Sequence, residues 1–189
     1  MQKHSILLVD DEQNILNSLS RLLRSDDREI ITALEASEAL EKLKSCQGVD
    51  LLISDNKLPN MSGVDFLIKV KYLYPDTIRV LITGYPDLES TIRAINNGQI
   101  YRFITKPWQN EEFKLLVKQA LDYADILKDN RALLKIAKRQ KEILGHMRRK
   151  YPQVSQEDSD KIGLYIIDEQ MVSETLEGFM KKYYPEGQK

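Results

Sequence analysis

The side chains best suited to chemistry in this 189-residue sequence stand at the ends of apolar runs. Ile6 to Val9 ends in Asp10-Asp11-Glu12, Leu51 to Ile53 in Ser54-Asp55, Ile78 to Ile82 in Thr83-Gly84, and Ile100 to Ile104 in Thr105-Lys106-Pro107. An acidic residue after a strand is more often the N-cap of the next helix. Capping alone does not explain endings of such different chemical types. Carboxylates gathered near one point repel each other until a proton or a cation relieves them. A hard, oxygen-ligated Mg2+ would take one or two carboxylates and a carbonyl, and would leave positions for phosphoryl oxygens. With Lys106 adding its ammonium, an anionic phosphoryl group can approach Asp55, and carboxylates are nucleophiles in phosphoryl transfer. The Thr83 hydroxyl could then hydrogen-bond a phosphoryl oxygen.

Such a gathering needs a sheet. Residues 50–63 organise the chain: Leu51, Leu52 and Ile53 read as a strand buried on both faces, with Pro59, Asn60, Ser62 and Gly63 as turn residues. Helical spacing over 14–24 (Ile15, Leu16, Leu19, Leu22, Leu23) predicts a first helix. A strand over 29–33, a helix over 37–45 and a helix over 64–74 stopped by Pro75-Asp76 follow. The third lip leads through Gly84-Tyr85-Pro86 into a helix over 87–97, and Asn110 caps a fifth helix. Strand and helix thus alternate five times. Short right-handed crossovers then favour an α/β, doubly wound (βα)5 fold: a five-stranded parallel sheet in a three-layer sandwich, strand order 2-1-3-4-5. The order reversal beside the first strand brings the Asp10/Asp11 and Asp55 lips together.

The fifth helix overruns the sheet. From Asn110 to Lys150 there is no Pro, and Gly145 is the lone Gly. Phe113, Leu116, Val117, Ala120, Leu121 and Ala124 suit packing on the sheet, whereas Ile126, Asn130, Leu133, Ala137, Gln140, Leu144 and Met147 step by four and three. Such a seam fits a short dimeric coiled coil, and a helix folding back on its own domain fits equally. Residues 128–150 hold nine basic and two acidic side chains, net +7, against net −4 for 151–189. The last segment offers a strand over 162–167 and an amphipathic helix over 169–184, too little to make a core of its own.

Composition sets bounds. The net charge of −1 shows no global bias toward nucleic acid or anionic membrane. Cys46 is the single cysteine, which excludes an internal disulfide and points to a reducing cytoplasm. No apolar run reaches the length of a membrane span, and the N-terminus meets acid too soon for a signal peptide.

Val9-Asp10-Asp11-Glu12, Asp55 with Leu58-Pro59, Leu81-Ile82-Thr83-Gly84 and Thr105-Lys106-Pro107 together resemble the motif set of bacterial response-regulator receiver domains, from residue 5 to about 125. The resemblance implies that Asp55 is the phosphoacceptor, supplied by a sensor histidine kinase or phosphotransfer protein. It implies that Asp10 and Asp11 bind Mg2+ with Asp55 and the backbone carbonyl of Lys57, that Lys106 and Thr83 contact the phosphoryl group, and that Thr83 and Phe103 act as a coupled switch. Tyr101 stands two residues from Phe103 as a second candidate aromatic, and the Lys106-Pro107 bond is expected cis. Lys57 and Tyr85, each two residues from a motif residue, are expected to tune access of water to the acyl phosphate; the bland alternative is that both point to solvent. The chain then divides into a receiver domain (1–125), an extended basic helix (126–150) and a small α/β tail (151–189). The stretch from Thr83 to Trp108 resembles receivers of hydrogenase-type transcription activators and of phosphohydrolase proteins, although neither output domain is recognisable.

Three functions therefore compete. A phosphorylated receiver would switch a protein-protein surface and need no separate catalytic domain. An Asp-dependent phosphatase would use Glu12, two residues after Asp10, but the Asp-x-Asp-x-Thr pattern is absent. A nucleic-acid binder would act through the basic helix 128–150, a less favoured reading because no zinc spacing or helix-turn-helix pair accompanies it.

Overall fold

The computed structural model describes residues 3–46, 48–84 and 100–150. Strands β1 (His4–Val9), β2 (Arg28–Ala33), β3 (Leu51–Asp55), β4 (Ile78–Thr83) and β5 (Arg102–Thr105) alternate with α1 (Gln13–Leu23), α2 (Ala36–Cys46), α3 (Gly63–Leu73) and a long helix, Asn110–Lys150. The sheet is parallel in the order β2-β1-β3-β4-β5, the expected order. Its centre is apolar on both faces because both are covered: β3 is buried at every position.

Alternation along the strands sorts the core into two clusters. Ile6, Leu8, Ile53, Val80 and Ile82 pack with Leu16, Leu19 and Leu23 of α1 and Phe113, Val117 and Ala120 of the long helix. Leu7, Val9, Leu52 and Leu81 pack instead with Ala39 and Leu43 of α2 and Phe66, Leu67 and Val70 of α3. Two helical layers thus sandwich the sheet. Each fully buried Leu, Ile or Phe contributes about 1.5–3 kcal/mol of transfer free energy, which sets the register of every strand by its apolar face.

Helix ends differ from the sequence reading by about one residue, for local reasons. Ser62 caps α3, its hydroxyl accepting the Asp65 N–H at 3.1 Å, so the helix opens at Gly63 rather than Val64. Gly48, at φ +106°, donates its N–H to the Leu43 carbonyl at 2.9 Å and closes α2. β5 starts at Arg102 rather than Ile100 because the chain bends at Tyr101. A minimal antiparallel pair, Lys57–Leu58 with Met61–Ser62, was not expected; two-residue strands leave no periodicity to read.

The chain forms two compact units, 1–127 and 128–189, and only 128–150 of the second is described. The expected helix over 87–97, the strand over 162–167 and the helix over 169–184 lie outside the described residues. No described helix is long and apolar enough to cross a membrane.

Candidate functional site

The lip of the sheet collects the charged residues. β1 and β3 are neighbours in register, Val9 beside Ser54, so Asp10 and Asp55 follow at the same edge. On the other flank Thr83 ends β4 opposite Thr105 of β5, and the Lys106 N–H donates to the Thr83 carbonyl at 2.8 Å. Topology alone therefore places an acid, an acid, a hydroxyl and an amine side by side. Asp10, Asp55 and Thr83 are 1%, 4% and 2% exposed, an uncommon depth for such groups.

Lys106 is the hub. Its Nζ lies 2.6 Å from Asp55 Oδ1 and 3.0 Å from Asp10 Oδ2, joining the ends of three strands through one ammonium. The remaining oxygens are also held. Asp10 Oδ1 accepts the Glu12 N–H at 2.9 Å, and Asp55 Oδ2 accepts the Lys57 N–H at 2.5 Å. Burial raises the Asp10 pKa, and the Glu12 N–H and the Lys106 ammonium only partly offset it. Burial pulls the Lys106 ammonium the other way, yet its hydrogen bonds to Asp55 and Asp10 leave its pKa above the usual lysine value.

Asp10, Asp11 and Glu12 bring one carboxylate oxygen each within 4.8 Å of one another. This donor set is all oxygen, with a buried acid whose charge the protein only partly compensates. Such donors fit a small hard cation such as Mg2+ and do not favour a thiolate- or imidazole-seeking metal. The tight acidic group includes Glu12, which the sequence reading did not count as a ligand, and Asp55 stands outside it, tied to Lys106.

Gly63 was read as a turn residue, and its structural role is larger. A methyl group there would overlap the carbonyl oxygen of Asp55 and crowd Asn56 Cα at 2.7 Å, while the Gly63 N–H donates to the Asn56 carbonyl at 2.8 Å. The first turn of α3 thus presses on the backbone that carries Asp55. Sequence offered only a glycine eight residues downstream.

Among the remaining expected residues, the Lys106-Pro107 bond is cis. Phe103 is 39% exposed and lines a cavity of about 250 Å3 with Pro107, Trp108 and Phe113. Tyr101 does not share that cavity: it stacks on Tyr123 at 5.3 Å between ring centroids. Lys57 has an exposed side chain. Tyr85 lies outside the described residues.

Comparison with known proteins agrees with this geometry. Residues 6–118 match the family described as the response regulator receiver domain. The hydrogenase transcriptional regulatory protein HoxA of Bradyrhizobium diazoefficiens is 38% identical over 125 residues, which cover 66% of this chain and 25% of that protein. The response regulator protein TmoT of Ectopseudomonas mendocina is 29% identical over 181 residues, covering 96% of this chain and 72% of that one. Among solved structures, the signal receiver domain of an HD domain-containing protein from Pseudomonas fluorescens is 40% identical with a TM-score of 0.64, covering 68% of this chain and 94% of that one. The chain spans about a quarter of the HoxA sequences it matches.

Proposed function

Because the chain belongs to the response-regulator receiver-domain family, we propose that Asp55 accepts a phosphoryl group from the phosphohistidine of a sensor kinase or phosphotransfer protein. The observation that carries this reading is the single ammonium of Lys106 spanning Asp55 and Asp10 at 2.6 and 3.0 Å. It poises a buried carboxylate against charge that arrives with the substrate.

A carboxylate oxygen of Asp55 attacks phosphorus, the phosphorus-nitrogen bond breaks, and its electron pair stays on the imidazole. Asp55 becomes an acyl phosphate. The Lys57 N–H orients the carboxylate, and Lys106 lies close enough to exchange a carboxylate oxygen for a phosphoryl oxygen. The Thr83 hydroxyl, on the neighbouring strand end, supplies a donor. Asp10, Asp11, Asp55 and the Lys57 carbonyl are the proposed Mg2+ ligands, with Glu12 close by; when bound, the ion neutralises phosphoryl charge.

The switch reading follows. A phosphoryl group that draws Thr83 toward it leaves space behind that residue, and Phe103, half out in solvent, is the side chain available to move inward. Kinase identity aside, the second proposed partner is another copy of the chain, paired through the long helix. Lys57 and Tyr85 are proposed to shield the acyl phosphate from water; replacing them with Asn and Glu and timing phosphate loss tests that, and unchanged rates dismiss it.

The central test is intact-mass measurement after incubation with Mg2+ and acetyl phosphate. Wild type should gain one phosphoryl group and Asp55→Asn none. Rapid multiple turnover of a small phosphate ester would favour a phosphatase instead, and steeply salt-dependent retention on DNA would favour the basic helix as a nucleic-acid site.

A further inference from the structure

Among the described residues, the long helix carries large apolar side chains that stand exposed. Leu115, Ile126, Leu133, Ile136 and Ile143 are 57%, 36%, 58%, 53% and 51% exposed. Numbered in sevens with Ile126 at position a, all of them fall on a or d, and Asp129, Gln140 and the exposed Gln119 and Asp122 fill the remaining a and d places from 115 to 143. This register is not the seam read from the sequence. The residues that seam placed between the a positions, Asn130, Ala137 and Leu144, are half buried, so the open stripe runs one residue toward the N-terminus of them.

We propose that this stripe pairs with a second copy of the same chain in antiparallel orientation about a two-fold axis between residues 134 and 135. In an antiparallel helix pair, a positions face d positions. Ile126 then faces the partner's Ile143, and Leu133 faces the partner's Ile136. Asp129 faces the partner's Gln140, whose amide donates to the carboxylate. The two-fold axis repeats each layer, so every apolar residue from 126 to 143 meets an apolar one and each polar residue meets its hydrogen-bonding complement. A parallel pair would instead set Asp129 against the partner's Asp129 inside an apolar seam, two like charges with no counter-ion.

Charge outside the seam agrees. Lys128, Arg131, Lys135, Lys138 and Lys141 fall on b, c and f, the positions turned away from a partner helix. At the flanks, Asn130 would lie near the partner's Ala137 and Ala132 near the partner's Arg139, with no like charges opposed. A second copy therefore fits where a polyanion does not: the open stripe itself carries no basic residue between 126 and 143.

This inference rests on the pairing proposed above for the long helix and adds its direction and register. The test uses the full chain with Cys46→Ser, carrying either Ile126→Cys or Ile143→Cys, oxidised mildly alone and as a mixture. Cysteines bridge only when their Cα atoms lie within about 7 Å, and in the antiparallel pair the two copies of residue 126 stand ~26 Å apart along the helix. The mixture should give a 126–143 disulfide at least several-fold faster than either variant alone gives a homodimer. Self-crosslinking of Ile126→Cys as fast as in the mixture would overturn the direction and leave the pairing standing. A wild-type chain that light scattering finds monomeric at tens of micromolar would overturn both. Phosphoryl uptake by the same preparations, read separately by mass, shows whether Asp55 chemistry fails independently.

Discussion

The strand ends and the outer half of the long helix break the same rule in opposite directions. At the lip, Asp10, Asp55 and Thr83 are polar and almost wholly buried; on the helix, Leu133, Ile136 and Ile143 are apolar and more than half exposed. Ordinary folding does neither, since burying charge and leaving contiguous apolar groups in water both cost free energy. The lip tolerates its cost because Lys106 supplies a counter-charge. Among the described residues, the stripe on the helix has no comparable cover. Under the two proposals made above, the first inversion is a place for chemistry inside one chain, and the second a surface for a second copy.

The sharpest way to break the contrast is to remove the counter-charge. Lys106→Ala leaves Asp10 and Asp55 facing each other without the ammonium that spans them. Phosphoryl uptake from acetyl phosphate should slow by about 10²-fold, the usual loss when one preorganised donor to a developing charge is removed. An unchanged rate would mean that the lysine is structural only.

Next comes Gly63→Ala. The added methyl has no room against the Asp55 carbonyl, and the shift it forces should cost about 1–3 kcal/mol by overpacking. A urea midpoint that falls by less than the error of the measurement would show that α3 is not pressed on the site.

That residue also marks a limit of what sequence conveys. The sheet order, the lip and Asp10, Asp55, Thr83 and Lys106 were legible because apolar runs end where the fold's edge must be. Close approach of Gly63 to Asp55 was not, since two backbones meeting is a tertiary event that leaves only a glycine behind. The exposed stripe lies one residue from the seam expected from the sequence, for a related reason. Apolar residues stand on two adjacent faces of the helix, Leu127, Leu134 and Leu144 on one and Leu133, Ile136 and Ile143 on the other, and only packing decides which is covered. Glu12 entered the sequence reading only as the second acid of a phosphatase; in the fold it stands at the N-cap of α1 without a side-chain hydrogen bond and keeps its carboxylate near Asp10 and Asp11.

A smaller effect probes the metal. A ligand that binds only the folded chain stabilises it by mass action, about 1.4 kcal/mol at ten times its Kd. Mg2+ should raise the melting temperature of wild type accordingly, and Asp11→Asn, at an exposed member of the acidic group, should cut that rise by more than half. Equal stabilisation of both proteins would move the ion elsewhere.

The smallest expected effect falls on the other region. Leu133→Lys with Ile136→Lys should abolish self-association while leaving the unfolding free energy of the 1–127 unit, read from urea melts, within ~0.5 kcal/mol, because both side chains are exposed in the single chain. A large loss of stability in the isolated chain would show that the stripe is part of its own core.

The central claim is that the buried carboxylate under Lys106 carries the phosphoryl group, and locating that group tests it most directly. Borohydride reduces an aspartyl phosphate to homoserine, so peptide mapping of the phosphorylated, reduced protein should find homoserine at position 55 and aspartate at 10 and 11. Homoserine at any other acid, with residue 55 intact, would contradict the account.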